Sequence, residues 1–129
     1  MEIHKNIPLK NFTTMRLGGL ASFMVEVKSE AELLEAHQFA IKNKLPFFII
    51  GDGSNLIAKD EGYKGLIIKI RLNGFKVIKD EDHKVLIEIG AGENWDEVVS
   101  KTVDMGLSGI EAMSGIPGTA GATPIQNVG

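Results

Sequence analysis

The stretch Pro46-Phe47-Phe48-Ile49-Ile50-Gly51-Asp52-Gly53-Ser54-Asn55-Leu56 constrains the chain more than any other. Four aromatic or β-branched residues, bounded by a proline and a glycine, read as a short buried strand. The run stops abruptly at two glycines carrying small polar neighbours, so the strand feeds a tight turn. Gly51 and Gly53 can both take positive φ and let successive amides converge on an anion, and a diphosphate suits that concavity. An ordinary Asp-Gly turn between two strands is the plain alternative. Two better-known phosphate loops do not fit: a Walker A loop needs Gly-Lys-Ser/Thr where Gly53-Ser54-Asn55 stands, and the dinucleotide fingerprint needs a glycine at Leu56.

The residues before the turn give it a position in a fold. Phe23-Met24-Val25-Glu26-Val27 reads as a strand, and Ser29 followed by Glu32 has the spacing of a capping box opening a helix over residues 30–43. Leu33, Leu34, Ala36, Phe39, Ala40 and Ile41 supply its apolar stripe. The helix runs through Lys44-Leu45-Pro46 into the strand at 47–50, making a β-α-β unit whose strands are parallel. The glycine turn then lies at a strand's C-terminal end, where open α/β sheets bind ligands. Position favours the phosphate reading over the plain turn.

Composition narrows the chemistry. A chain of 129 residues with 43% hydrophobic and 24% charged residues can bury a core, and a net charge of -3 argues against nucleic acid as a partner. With no cysteine there are no disulfides, thiolate metal sites or cysteine nucleophiles. His4, His37 and His83 lack ligand spacing, so no metal site is assigned. The N-terminus has no apolar signal region and the apolar runs are too short to span a bilayer, which predicts a cytoplasmic protein without membrane contact.

Further along, residues 66–70, 75–78 and 85–89 read as strands, the last two forming an antiparallel hairpin around the polar turn Asp80-Glu81-Asp82-His83. Gly90-Ala91-Gly92 closes the last of them. Asn94 with Glu97 repeats the capping-box spacing, and a helix over residues 95–105 ends at Gly106, burying Trp95, Val98, Val99, Thr102 and Val103. The C-terminal segment Ser114-Gly115-Ile116-Pro117-Gly118-Thr119-Ala120-Gly121-Ala122 is rich in small residues. Glycines at 115, 118 and 121 on a helical turn would share one side, open either to a flat ligand or to another backbone.

Four groups of residues together carry a family resemblance. They are Asn11-Phe12-Thr13-Thr14 with Arg16, Gly18 and Gly19; Gly51 to Leu56; Ala91-Gly92-Glu93 with Trp95; and Ser114 to Asn127, containing Pro124-Ile125-Gln126-Asn127. Over essentially its whole length the chain resembles the N-terminal part of the UDP-N-acetylenolpyruvoylglucosamine reductase (MurB) family. The loop at 51–56 occurs broadly in flavoproteins of the vanillyl-alcohol-oxidase (PCMH) type, whereas the last segment is far more specific.

The resemblance implies an α+β, two-lobed FAD-binding module with the cofactor between its lobes. Residues 1–70 would form the first, βαβ lobe, and 71–129 the start of a mainly antiparallel second lobe. Gly51, Asp52, Gly53, Ser54, Asn55 and Leu56 would hold the FAD diphosphate, and Gly115, Ile116, Pro117, Gly118, Thr119, Gly121 and Ala122 would lie against the flavin. Gln126 and Asn127 would reach cofactor or substrate. The family passes hydride from NADPH through FAD to a UDP-sugar enolpyruvyl ether in peptidoglycan synthesis. Its members continue well past Gly129, so the resemblance implies a truncated chain lacking the substrate-binding domain, with no catalytic residue assigned and no activity expected of it alone. An uncovered apolar surface is then expected either to dimerise, through residues 113–125 or the edge of the strands over 66–89, or to leave the C-terminal segment over 106–129 disordered. A non-catalytic nucleotide-binding module and a ligand-free structural fragment are the competing readings.

Overall fold

The computed structural model describes residues 1–126 and 128, and its chain packs as two compact units, Met1–Arg71 and Leu72–Gly129. The architecture is α+β. Among the described residues no helix is long and apolar enough to cross a membrane.

The first unit is built on strands β1 (Ile3–Pro8), β2 (Leu20–Val27), β3 (Phe47–Ile50) and β4 (Tyr63–Ile70), with one helix, α1 (Glu30–Lys42), between β2 and β3. The sheet order is β1-β2-β4-β3; β1 runs antiparallel to β2, whereas β2 and β3 each lie parallel to β4. The β-α-β unit is therefore present with β4 inserted between its two strands. β1 is an element that sequence reading missed, because its apolar residues are interrupted by His4, Lys5 and Asn6. As the central parallel strand, β4 is buried from Gly65 to Ile70, which explains its continuous apolar run.

On one face Leu9, Ala21, Met24, Ile50 and Ile67 form a core, covered by Ile7, Phe12, Leu56, Ala58 and Tyr63. α1 packs against β2 and β4, with Ala36 and Ala40 fully buried and Phe39 edge-on to Phe23 at 5.8 Å between ring centroids. Each Leu, Ile, Val or Met side chain fully buried in these layers contributes about 1.5–3 kcal/mol, and each alanine methyl less. Leu34 and Ile41, assigned to the same stripe, are instead 61% and 62% exposed, because only a narrow seam of α1 reaches the sheet. The strand at 47–50 was expected to be buried and is not: Phe47, Phe48 and Ile49 are exposed and only Ile50 is buried. Among the described residues it is an edge strand, paired on one side alone.

Both ends of α1 follow local chemistry. Ser29 accepts a hydrogen bond from the Glu32 amide at 3.2 Å, while the Glu32 carboxylate accepts one from the Lys28 amide at 2.6 Å. At the other end Leu45 N–H donates to Ala40 C=O and Lys44 N–H to Ile41 C=O, a Schellman closure with Lys44 at a φ of 54°.

The second unit holds an antiparallel hairpin, β5 (Phe75–Glu81) and β6 (Lys84–Ile89), then α2 (Trp95–Asp104) and a 3-10 turn over Glu111–Met113. Asp82 and His83, with φ of 51° and 62°, form the two-residue hairpin turn. Asn94 caps α2 by accepting from the Glu97 amide at 3.1 Å, and Gly106 at φ 74° ends it in a second Schellman closure, Leu107 N–H to Thr102 C=O. Trp95, Val98 and Val99 pack with Phe75, Ile89, Ile110, Met113, Ile116 and Ala120. Val103, expected in this core, is 49% exposed.

Candidate functional site

The turn expected from sequence stands at the C-terminal end of β3, and residues 51–58 run on without regular secondary structure. Gly53 takes positive φ, 72°, and Gly51 does not, so only one of the two expected left-handed positions exists. A Cβ on Gly53 would lie 1.9 Å from the Phe12 carbonyl oxygen. The close approach made by this glycine is thus to the chain's own Phe12-Thr13 backbone, which is also tied to the turn by the Thr14 amide donating to the Gly53 carbonyl at 3.1 Å. Among the described residues, the amides of Asp52, Gly53, Asn55 and Leu56 donate to no other backbone group. N–H groups without a backbone acceptor just past a parallel strand can receive an oxyanion.

Two cations, one on β4 and one just past it, border this turn, and sequence reading did not single them out. Lys69 pairs with Ile50 in the β3–β4 register and is only 7% exposed. Its ammonium lies 4.8 Å from the Phe12 ring centroid and 3.9 Å from the Glu26 carboxylate. Burial holds this ammonium below the usual lysine range; Arg71 adds to the shift, and Glu26 and Asp52 oppose it. Arg71, one residue past β4, bonds Asp52 through Nη1 at 2.9 Å, each side chain about one-third exposed (35% and 34%). A lysine and an arginine two residues apart at the end of an apolar strand share one face by strand alternation, and that was the available signal.

In the second unit, the segment carrying residues 115–122 is a succession of turns, so the glycines at 115, 118 and 121 do not line one side of a helix. They do three different things. Gly115 takes a φ of 78° with nothing within 4 Å of where a Cβ would stand; Gly118 takes 127°; Gly121 packs on Ala91, where a Cβ would meet Ala91 Cβ at 2.7 Å. Gly121 thus serves close contact with another backbone turn, one of the two uses the spacing left open.

The segment is fastened to α2 and the turn before it. Trp95 N–H donates to Gly118 C=O at 3.0 Å, Ala120 N–H to Glu93 C=O at 2.8 Å and Gly121 N–H to Ala91 C=O at 3.0 Å. The Asp96 carboxylate accepts from the Gly115 amide at 2.7 Å and from Ser114 Oγ at 2.8 Å. Those two donors, the amide first, hold the Asp96 carboxyl below the ordinary range. Thr119 is buried, Thr123 Oγ1 donates to its carbonyl at 3.1 Å, and Gln126 Nε2 donates to Pro117 C=O at 3.3 Å. Gln126 therefore closes its own loop, and Asn127 lies outside the described residues. Among the described residues no group of His, Asp or Glu side chains is arranged to hold a metal ion.

Comparison with known proteins adds to this geometry. The chain is 42% identical over 125 residues to the UDP-N-acetylenolpyruvoylglucosamine reductase of Thermobifida fusca, covering 97% of this chain and 35% of that protein. It is 43% identical over 128 residues to the protein of the same name from Streptomyces avermitilis, covering 99% of this chain and 34% of the relative. It superposes on the crystal structure of UDP-N-acetylenolpyruvylglucosamine reductase (MurB) from Thermus caldophilus with a TM-score of 0.71 at 30% identity, covering 95% of this chain and 41% of that one. The chain thus spans about a third of the length of the curated relatives it matches. The sequence family described as FAD binding domain matches residues 21–129, a span that holds both the 51–56 turn and the 115–122 segment. The chain belongs to this FAD binding domain family, and its cofactor is FAD.

Proposed function

We propose that this chain is the FAD-binding part of an NADPH-dependent UDP-N-acetylenolpyruvoylglucosamine reductase acting in the cytoplasm on a UDP-sugar enolpyruvyl ether. The observation that carries the reading is that, among the described residues, the amides of Asp52, Gly53, Asn55 and Leu56, just past the C-terminal end of a parallel strand, donate to no other backbone group. Such a nest suits the FAD diphosphate, with Ser54 and Asn55 adding side-chain donors and Gly51 giving the chain room to turn. In the second lobe, here taken as residues 71–129 after a first lobe of 1–70, Gly115, Ile116, Pro117, Gly118, Thr119, Gly121 and Ala122 would lie beside the flavin. The lack of a side chain at Gly115 leaves open space there.

Bound FAD supplies the hydride relay between NADPH and the enolpyruvyl double bond. The chain's own residues bind and orient it: amides of the 51–56 turn fix the diphosphate, and Asp96, by holding Ser114 and Gly115, fixes where the small-residue segment begins. Titrating the purified chain with FAD and following flavin fluorescence tests the assignment. Saturable binding that weakens when Ser54 and Asn55 are both replaced by alanine is the expected result. Saturable binding indifferent to that double replacement would overturn the assignment of the turn.

Self-association as a two-fold dimer accompanies this reading. Among the described residues the β5–β6 hairpin is a two-stranded sheet whose outer edges pair with no other strand, and Val77, Ile78 and Leu86 on it are 40%, 48% and 59% exposed. β4, within the 66–89 range considered for such an edge, lies inside the first sheet and offers none. Light scattering after size-exclusion chromatography should give a dimer that Leu86→Lys dissociates; a monomer at every concentration would overturn this.

A further inference from the structure

The turn at residues 51–56 contains a difficulty for the ligand it is read as binding: its one ionisable side chain is the carboxylate of Asp52. A diphosphate entering beside an unpaired carboxylate would meet like-charge repulsion in a partly desolvated site. The fold answers with Arg71. Its backbone is held at the end of β4 by the Arg71 amide donating to Val27 C=O at 2.8 Å, and its Nη1 stands 2.9 Å from Asp52 Oδ1. The neighbouring cation, Lys69, is buried over Phe12 and makes its close ion pair with Glu26, so the direct bond to Asp52 falls to Arg71.

We propose that Arg71 is a positioning residue for the diphosphate turn, cancelling the charge of Asp52 and holding that side chain aside so that the amides of residues 51–56 face a net-neutral loop. The inference rests on the reading of that turn as the diphosphate site. Lys69 and Glu26 complete a four-charge group of zero net charge; removing Arg71 alone leaves it at −1, and removing Asp52 as well returns it to zero.

The test is a charge cycle on the 129-residue chain with FAD as probe, read by flavin fluorescence. Arg71→Gln should weaken FAD binding about tenfold, the effect shrinking at high salt. Asp52→Asn should bind at least as tightly as the parent, and the double variant should return to within about twofold of it. A merely structural role for the pair would not produce that rescue. Parent-like affinity in Arg71→Gln, or a double variant as weak as Arg71→Gln, overturns the proposal. If circular dichroism shows Arg71→Gln unfolded, Asp52→Asn alone decides, since weaker binding there also overturns it. The Ser54→Ala/Asn55→Ala double variant separates the two levels. Lost binding there with a silent Arg71→Gln removes only the role of Arg71, whereas FAD binding unchanged in every variant removes the diphosphate turn as well.

Discussion

Gly53 lies so close to Phe12 that a Cβ on it would stand 1.9 Å from the Phe12 carbonyl oxygen. The turn at 51–56 is therefore stacked on the backbone of the Asn11-Phe12-Thr13-Thr14 segment, and the two are bonded through Thr14 N–H and Gly53 C=O. Thr13 braces that segment in turn, its buried Oγ1 donating to Leu17 C=O at 2.9 Å. Two stretches far apart in sequence are thereby one structure.

Gly53→Ala should accordingly be among the most damaging single changes in the first unit. A left-handed φ costs an alanine about 1–2 kcal/mol, and displacing backbone adds to that, so a loss of about 3 kcal/mol or more is expected. Urea unfolding measures it. A variant with an unchanged midpoint would show that Phe12 and Gly53 part without cost.

The two helix ends allow a cleaner measurement of the same backbone preference. Gly106 and Lys44 occupy equivalent Schellman positions, at φ of 74° and 54°, and nothing lies within 4 Å of a Cβ on Gly106. Gly106→Ala should then cost only the conformational preference, about 1 kcal/mol, well short of Gly53→Ala. Lys44→Gly should do the reverse and stabilise by about 0.5–1 kcal/mol, its gain reduced by the greater freedom glycine gives the unfolded chain. Denaturant midpoints moving in the same direction for both would contradict the assignment of strain.

What was legible in the sequence was whatever local chemistry decides. Ser29 and Asn94 cap the helices they were expected to cap, and Gly106 ends α2, because such signals act over four residues. The turn after Ile50 was legible for the same reason. What failed depended on partners distant in sequence. Phe47, Phe48 and Ile49 have the composition of a buried strand, yet the insertion of β4 beside β2 leaves β3 at the edge. The even spacing of Gly115, Gly118 and Gly121 suggested one helical side, but the bonds to Ala91, Glu93 and Trp95 set that segment's path instead. Arg71 and Lys69 were not singled out, because their relation to Asp52 and Phe12 exists only once β3 and β4 pair.

A last prediction concerns acid. The Asp96 carboxyl is held below the ordinary range chiefly by the Gly115 amide and then by Ser114, and the Glu111 carboxyl is lowered by its own amide and then by that of Gly109. For a carboxyl whose folded pKa is depressed, the native state binds fewer protons than the unfolded one between the two values. The stabilising contribution is thus complete above the unfolded pKa, about 4 for both groups, and is lost as pH falls through the folded value. Both side chains are fully exposed to solvent, so the effect is local: the link between α2 and residues 114–115 should loosen below about pH 4 while the packing of Trp95, Val98 and Val99 persists. Amide exchange at Gly115, corrected for its intrinsic rate, should lose protection on acidification, and Asp96→Asn should weaken that protection at neutral pH and flatten its pH dependence. Exchange at Gly115 that stays equally protected from neutral pH to well below 4 would mean that Asp96 does not hold the segment in solution.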